Sequence, residues 1–221
     1  MQNNWREFWG RPYDRTTKQE VMENILPDLE LNAENDTPSV LLDIGCGALP
    51  ISNMLSFEYN CKTIKIDIAI ENSHFHNDLS DEIKINADIE KFNDTLFETK
   101  KKLLHICKFL DIAPQEDTKE QIDIAIFSEI LNYIDYKKVL KDSSAYIKKG
   151  GKIVIINMPG RGFRTLFSEK GVCDNLELYS FLEEIGFEIG KKYFPWNSYS
   201  ECPDKEDGTE FVTLVARKKT D

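Results

Sequence analysis

The chain has 221 residues, 41% hydrophobic and 30% charged, enough for one well-buried core and too few for two domains of average size. Its net charge of −11 disfavours a nucleic-acid substrate, because binding a phosphate backbone needs a positive footprint that releases counterions. No apolar stretch approaches membrane-spanning length, the N-terminus lacks the basic start and apolar run of a secretory signal, and the five cysteines are scattered without C-x-x-C spacing. These features predict a cytoplasmic protein with neither a disulfide framework nor a zinc knuckle.

Residues 5–31 have helical spacing, broken by Gly10-Arg11-Pro12 into a short helix and a second one over 16–25. One domain is expected over 1–221, with 1–38 as a helical lid or extension and 39–221 as the core. After a polar linker over 32–39, the apolar run 40–44 reads as a buried strand, Gly45-Cys46-Gly47 as a tight turn, and 51–59 as a helix whose first turn suits Pro50. A second strand over 62–67 carries Lys62 and Lys65, which imply one face less buried than mid-sheet, and it ends at Asp67. A third strand over 82–87 is closed by Asp88; a charged helix over 95–110 and a loop over 111–121 follow.

The fourth strand is predicted over 122–127, then the segment 128–134 and a helix over 136–147 that Gly150-Gly151 stops. The β-branched run 152–157 reads as a central strand covered on both faces. A helix over 176–185 ends at Gly186, and strands over 187–194 and 211–217 form a hairpin. The alternation predicts an α/β fold: a doubly wound, mostly parallel seven-stranded sheet with an antiparallel C-terminal hairpin and an N-terminal helical extension. Such a sheet binds ligands outside the carboxyl ends of its strands.

The turn after the first strand is the most informative feature. Glycines at 45 and 47 let the backbone turn sharply and let a ligand approach main chain. A dinucleotide fingerprint G-x-G-x-x-G would need a third glycine at position 50, where the chain has Pro50. Asp67 follows Gly47 by 20 positions at the end of the second strand, where a carboxylate accepts both hydroxyls of an adenosine ribose.

With Asp43, Gly45 and Gly47 in this order at the mouth of the first strand, the chain resembles the class I S-adenosylmethionine-dependent methyltransferases over residues 40–157 and, through the hairpin, towards 217. The resemblance implies S-adenosyl-L-methionine as cofactor. It implies that Asp43 lies near the methionine end, that Asp88 contacts the adenine amino group, and that Ile68 and Ile89 wall the ring. It also implies that Ser128 and the residues after it line the methionine portion and the methyl-transfer pocket. The chain departs from the family at Leu49, where many members carry another glycine, and it has no N-P-P-Y or D-P-P-Y motif. Asp43 also reads as a turn residue bonding nearby amides.

Tyr133 and Asn132 are the leading substrate-side residues, because they follow the fourth strand at the ligand edge and carry hydrogen-bonding groups. Asn132 has less reason than Tyr133 to enter a core, whereas packing beneath the next helix is an equal reading for Tyr133. Glu129 could orient a substrate amine or act as a base, or be an exposed carboxylate at a helix start. Tyr13 and Arg15 are candidates for a lid over the cofactor, the guanidinium holding its carboxylate. Trp5 and Trp9 read as packing residues, Arg161 and Arg164 as surface arginines, and His74 and His76 lack partners at metal-ligand spacing. The expected function is methyl transfer to an O or N atom of a small molecule or peptide by in-line displacement. An NAD-dependent oxidoreductase and a catalytically silent binding protein are the alternatives.

Overall fold

A computed structural model describes residues 23–31, 36–47, 51–67, 82–89, 120–157, 168–194, 208 and 211–220. The expectations for Tyr13, Arg15, Ile68, Trp5, Trp9, His74, His76, Arg161, Arg164 and the helix over 95–110 lie outside the described residues.

Seven strands form one sheet: β1 (Ser39–Ile44), β2 (Cys61–Asp67), β3 (Glu82–Asn86), β4 (Ile122–Ser128), β5 (Ile147–Asn157), β6 (Phe187–Tyr193) and β7 (Val212–Lys218). Their order is β3-β2-β1-β4-β5-β7-β6. The pairs among β1 to β5 are parallel, and β7 runs antiparallel to both β5 and β6. The mostly parallel sheet with an antiparallel hairpin is therefore as the sequence predicts. The order differs from the 3-2-1-4-5-6 arrangement of dinucleotide-binding sheets by the insertion of antiparallel β7.

Four described helices cover the sheet: α1 over residues 23–29, α2 (Ile51–Glu58), α3 (Tyr136–Ser144) and α4 (Asn175–Glu184). One face packs Leu42, Ile44, Ile66, Phe127, Ile155 and Leu214 against Val139 and Leu140 of α3 and Leu178 and Leu182 of α4. The other packs Leu41, Ile126, Val154 and Val215 against Ile25 and Leu29 of α1 and Ile51 and Leu55 of α2. Period-two alternation along each strand sends neighbours to opposite faces, and helices on both faces favour central strands that are mainly apolar, with buried exceptions such as Asp43 and Lys65. Each large side chain so buried contributes roughly 1.5–3 kcal/mol of transfer free energy. Among the described residues no helix is long and apolar enough to cross a membrane.

Three local expectations are corrected. Helix α1 runs to residue 29 rather than 25, because Ile25 and Leu29, one turn apart, both enter the core and Lys152 Nζ donates to the Leu29 carbonyl at 2.9 Å. Gly150-Gly151 does not stop a helix: α3 ends at Ser144 and β5 begins at Ile147. The pairing jumps from Ile122↔Ile147 to Ile124↔Lys152, so residues 148–151 bulge opposite Asp123. Gly150 has φ +75° there, and a Cβ on Gly151 would stand 2.8 Å from Ile147 Cγ2 and 3.0 Å from the Asp123 carbonyl. Finally, Lys65 does not mark an open face of β2, since it is 1% exposed; its ammonium meets Glu82 of β3 and Asn53 of α2.

Candidate functional site

Strand order reverses between β1 and β4, which are neighbours although their onward connections run to opposite sides of the sheet. The carboxyl ends of these two strands flank the crevice where an open α/β sheet receives its ligand. Gly45 follows β1 with φ +68° and Gly47 with φ +59°, left-handed conformations that L side chains adopt rarely. The Gly45 N–H donates to the Ile66 carbonyl at 2.8 Å, which ties the turn to the neighbouring β2.

The two glycines serve different ends. A Cβ on Gly45 would lie 2.6 Å from Ile130 Cγ1, so the absent side chain is what lets the segment after β4 lie against the turn after β1. Around Gly47 a Cβ would meet nothing within 4 Å among the described residues, and none of these blocks approach to its main chain. Its N–H donates to Asp67 Oδ2 at 2.9 Å. The glycine turn and the strand-two carboxylate, expected from spacing alone, are in direct contact.

Asp43 is fully buried and accepts hydrogen bonds from Ser52 N at 3.2 Å and Ser52 Oγ at 2.7 Å. It therefore acts as a capping carboxylate reaching from β1 to the first turn of α2, where the unpaired helical amides and the macrodipole favour a negative charge. This is the amide-bonding role read from its sequence position, made here to the first turn of a helix. Cys46, 3% exposed between the glycines, has its thiol pushed well up from the usual range, first by burial and then by the charges of Asp43 and Asp67, with Lys65 opposing them.

At the end of β3 the Ala87 N–H donates to the Asp67 carbonyl at 3.3 Å, and this brings the half-buried Asp88 alongside the end of β2. Ile89 is 6% exposed and packs with Ile66 and Ile85. Ser128 closes β4 opposite Ile156 and is half-buried. Glu129 then takes φ +54°, strained for a side chain with a Cβ, and its N–H donates to the Ile156 carbonyl at 2.7 Å. The Tyr133 N–H donates to the Ile130 carbonyl at 3.0 Å, closing a turn over 130–133.

Burial, followed by the charge of Glu129, pushes the Tyr133 phenol up to about 12. Burial likewise raises Tyr136 to about 12, and burial together with a hydrogen bond from its hydroxyl to Asp28 raises Tyr193 to about 12. Because an unfolded tyrosine loses its proton near 10, the folded chain holds more protons between about pH 10 and 12, and stability falls as pH rises through that window. Below pH 10 the three phenols are expected to add no pH dependence. Denaturation midpoints of the protein and of Tyr133→Phe across this range check the sign, the variant showing the shallower decline.

Asn132 is not on an open rim but 4% exposed. Residues 168–172 close over it: Ser168 N–H donates to the Asn132 carbonyl at 3.1 Å and Val172 N–H to the Leu131 carbonyl at 3.0 Å. Gly171 is what permits this approach, since a Cβ there would stand 2.1 Å from the Asn132 carbonyl oxygen. Gly171→Ala should therefore displace the segment from the site edge and destabilise the fold by about 3 kcal/mol, the upper end of over-packing. A urea denaturation midpoint reads this directly. Ser52, Ile130 and Gly171 carry no motif in the sequence; their roles arise from contacts between elements distant in the chain.

No protein-family model matches the chain, and no curated protein matches it in sequence. Its fold is nevertheless shared with many solved structures. The Haloferax volcanii complex between the methyltransferase activator Trm112 and a protein provisionally assigned as a methyltransferase contains a chain 11% identical, with 99% of each chain covered and a TM-score of 0.66. A Burkholderia thailandensis 1,6-didemethyltoxoflavin-N1-methyltransferase, solved with 1,6-didemethyltoxoflavin and S-adenosylhomocysteine, is 14% identical over 98% of this chain and 83% of that one, with a TM-score of 0.57. The [4+2]-cyclase SpnF is 13% identical over 93% and 81%, with a TM-score of 0.59. The chain has the fold of the class I S-adenosylmethionine-dependent methyltransferases, a fold that also hosts a cyclase.

Proposed function

We propose that the protein is a cytoplasmic S-adenosyl-L-methionine-dependent methyltransferase that methylates an O or N atom of a small molecule or peptide. The observation that carries this reading is the contact of Gly47 N–H with Asp67 Oδ2 beside the β1/β4 crevice. A carboxylate offers about four acceptor sites, so a side chain of this kind that holds a glycine amide is also chemically suited to ribose hydroxyls. The open approach to Gly47 suits main-chain contact with the cofactor, and Asp88 beside Asp67 suits the adenine amino group. Gly45, Asp43 and Ile89 support the same site by shaping the turn, capping α2 and closing the apolar layer below. Ser128 lies at the crevice mouth on the side assigned to the methionine portion. Tyr13, Arg15 and Ile68 complete the proposed cofactor set.

The cofactor, when bound, would supply a sulfonium methyl group that an acceptor nucleophile takes in line, with S-adenosylhomocysteine as the leaving group. The chain's share is alignment and exclusion of water, which for an ionised or neutral-amine acceptor provide much of the rate. Glu129 and Tyr133 are the proposed acceptor-side pair. The Tyr133 phenol, held protonated at neutral pH, donates a hydrogen bond, while Glu129 accepts one or takes a proton. Asn132, buried beneath residues 168–172, holds the pocket wall. The fold alone leaves oxidoreduction and silent binding to be separated by measurement. Calorimetric titration with S-adenosylmethionine, S-adenosylhomocysteine and NAD is expected to give saturable binding of the first two; binding of NAD alone overturns the reading. Release of S-adenosylhomocysteine in the presence of an acceptor panel separates turnover from silent binding.

A further inference from the structure

Helix α2 begins four residues after Gly47, and its inner side is half polar. Ile51 and Leu55 enter the apolar layer, but Ser52 bonds Asp43, Ser56 Oγ meets Thr63 Oγ1 at 2.8 Å, and Asn53 Oδ1 accepts from Lys65 Nζ. Apolar contacts are non-directional, whereas each of these bonds is satisfied in only one rotation and depth of the helix. Lys65 is the centre of the set. Its ammonium, with the side chain 2% exposed, also meets the Glu82 carboxylate, 4% exposed, whose other oxygen lies 3.1 Å from Lys84 Nζ. Asp43 is the cross-strand neighbour of Lys65 in the β1–β2 register, and Asp67 stands two residues further along the same face of β2.

Resting on the proposed donor site, we propose that Lys65 is its positioning residue: by joining β2, Glu82 of β3 and Asn53 of α2, it fixes where the glycine turn must end. Asp43 fixes the same helical turn from β1 through Ser52. The Gly45–Gly47 turn is thereby held between two anchored points, which presents the Gly47 main chain and Asp67 in one arrangement. Lys65 touches neither cofactor nor substrate in this role. It also offsets, inside the fold, the negative charge of Asp43 and Asp67 around Cys46 and that of Glu82 on β3.

Lys65→Met alone leaves Glu82 buried without its main cation and is expected to unfold readily. The informative variants are Lys65→Met/Glu82→Gln, which removes both charges together, and Asn53→Ala, which cuts the link to α2 while leaving the buried ion pair in place. Both are expected to keep a melting temperature near that of the parent while binding S-adenosylmethionine about tenfold more weakly, the scale of a small misplacement in a positioned site. In turnover the loss should fall on KM for the donor, with kcat at saturation retained. Amide exchange of Gly45 and Gly47, measured without cofactor, should accelerate in both variants. Folded variants with parental donor affinity and parental exchange at Gly45 and Gly47 overturn the positioning role. Failure of the parent protein itself to bind S-adenosylmethionine overturns the donor-site reading instead, and the exchange measurement still decides whether Lys65 orders the turn.

Discussion

Alanine at position 45 is expected to destabilise the protein by about 3 kcal/mol, since left-handed backbone costs an L-residue roughly 1–2 kcal/mol and over-packing adds about 1–3. Both penalties apply at this residue. Its φ is +68°, and the new Cβ would lie 2.6, 2.8 and 3.0 Å from three carbons of Ile130. Ile130 cannot withdraw freely, because its carbonyl accepts the Tyr133 amide and the preceding residue is tied to Ile156. Alanine at position 47 makes the contrast. Its φ of +59° brings the conformational cost of about 1–2 kcal/mol without the clash, there being nothing within 4 Å among the described residues. Urea denaturation should show a lower midpoint at unchanged m for both variants, the larger shift at Gly45. Donor affinity should fall at least about tenfold for Gly47→Ala, measured on the folded variant, because under the proposed site a methyl group would stand in the way of the cofactor's main-chain contact. Equal midpoints for the two variants would refute the division of labour between these glycines.

Asp67→Ala is expected to weaken S-adenosylmethionine binding about a hundredfold or more, two lost hydrogen bonds to a charged group being worth roughly 1.5–3 kcal/mol each. The residue has a second task within the chain itself, accepting the Gly47 N–H at 2.9 Å. Removing the carboxylate should therefore loosen the turn and delete the proposed ribose acceptor at once. Asp67→Asn separates the two: its amide oxygen still accepts from Gly47, while charge and one acceptor are lost, so an intermediate affinity is expected. Calorimetry on the three proteins tests the ordering. Wild-type affinity in Asp67→Ala would sink the ribose assignment, whatever the outcome at Gly45.

Much of this site was legible in the sequence because it is built from short runs with fixed periods. Apolar runs of β-branched residues announce strands, two glycines at the end of one announce a turn with positive φ, and an aspartate ending the next strand lies where parallel pairing brings it alongside. The observed φ values of Gly45 and Gly47 and the bond to Asp67 agree with that reading. Misreadings arose where one element's pattern was judged without its neighbour. Gly150-Gly151 has the composition of a helix stop, but pairing with β4 makes it a bulge opposite Asp123. Lys65 has the polarity of a surface residue, yet the carboxylate that lets it be buried comes from Glu82, on the next strand. Asn132 looks like a rim residue, but Gly171 allows main chain from beyond β5 to close over it.

By itself the sequence determined the strand succession, the glycine turn and the acid that meets it, because each depends on residues adjacent in the chain or one strand apart. Only the tertiary structure decided which polar groups are buried, which glycine makes room for packing and which meets no described neighbour, and what holds α2 in register. Burial and charge pairing depend on partners across the sheet: Ile130 for Gly45, Glu82 for Lys65, Ser52 for Asp43. A linear pattern records a residue's own preference, and the partner that overrides it is chosen by the fold.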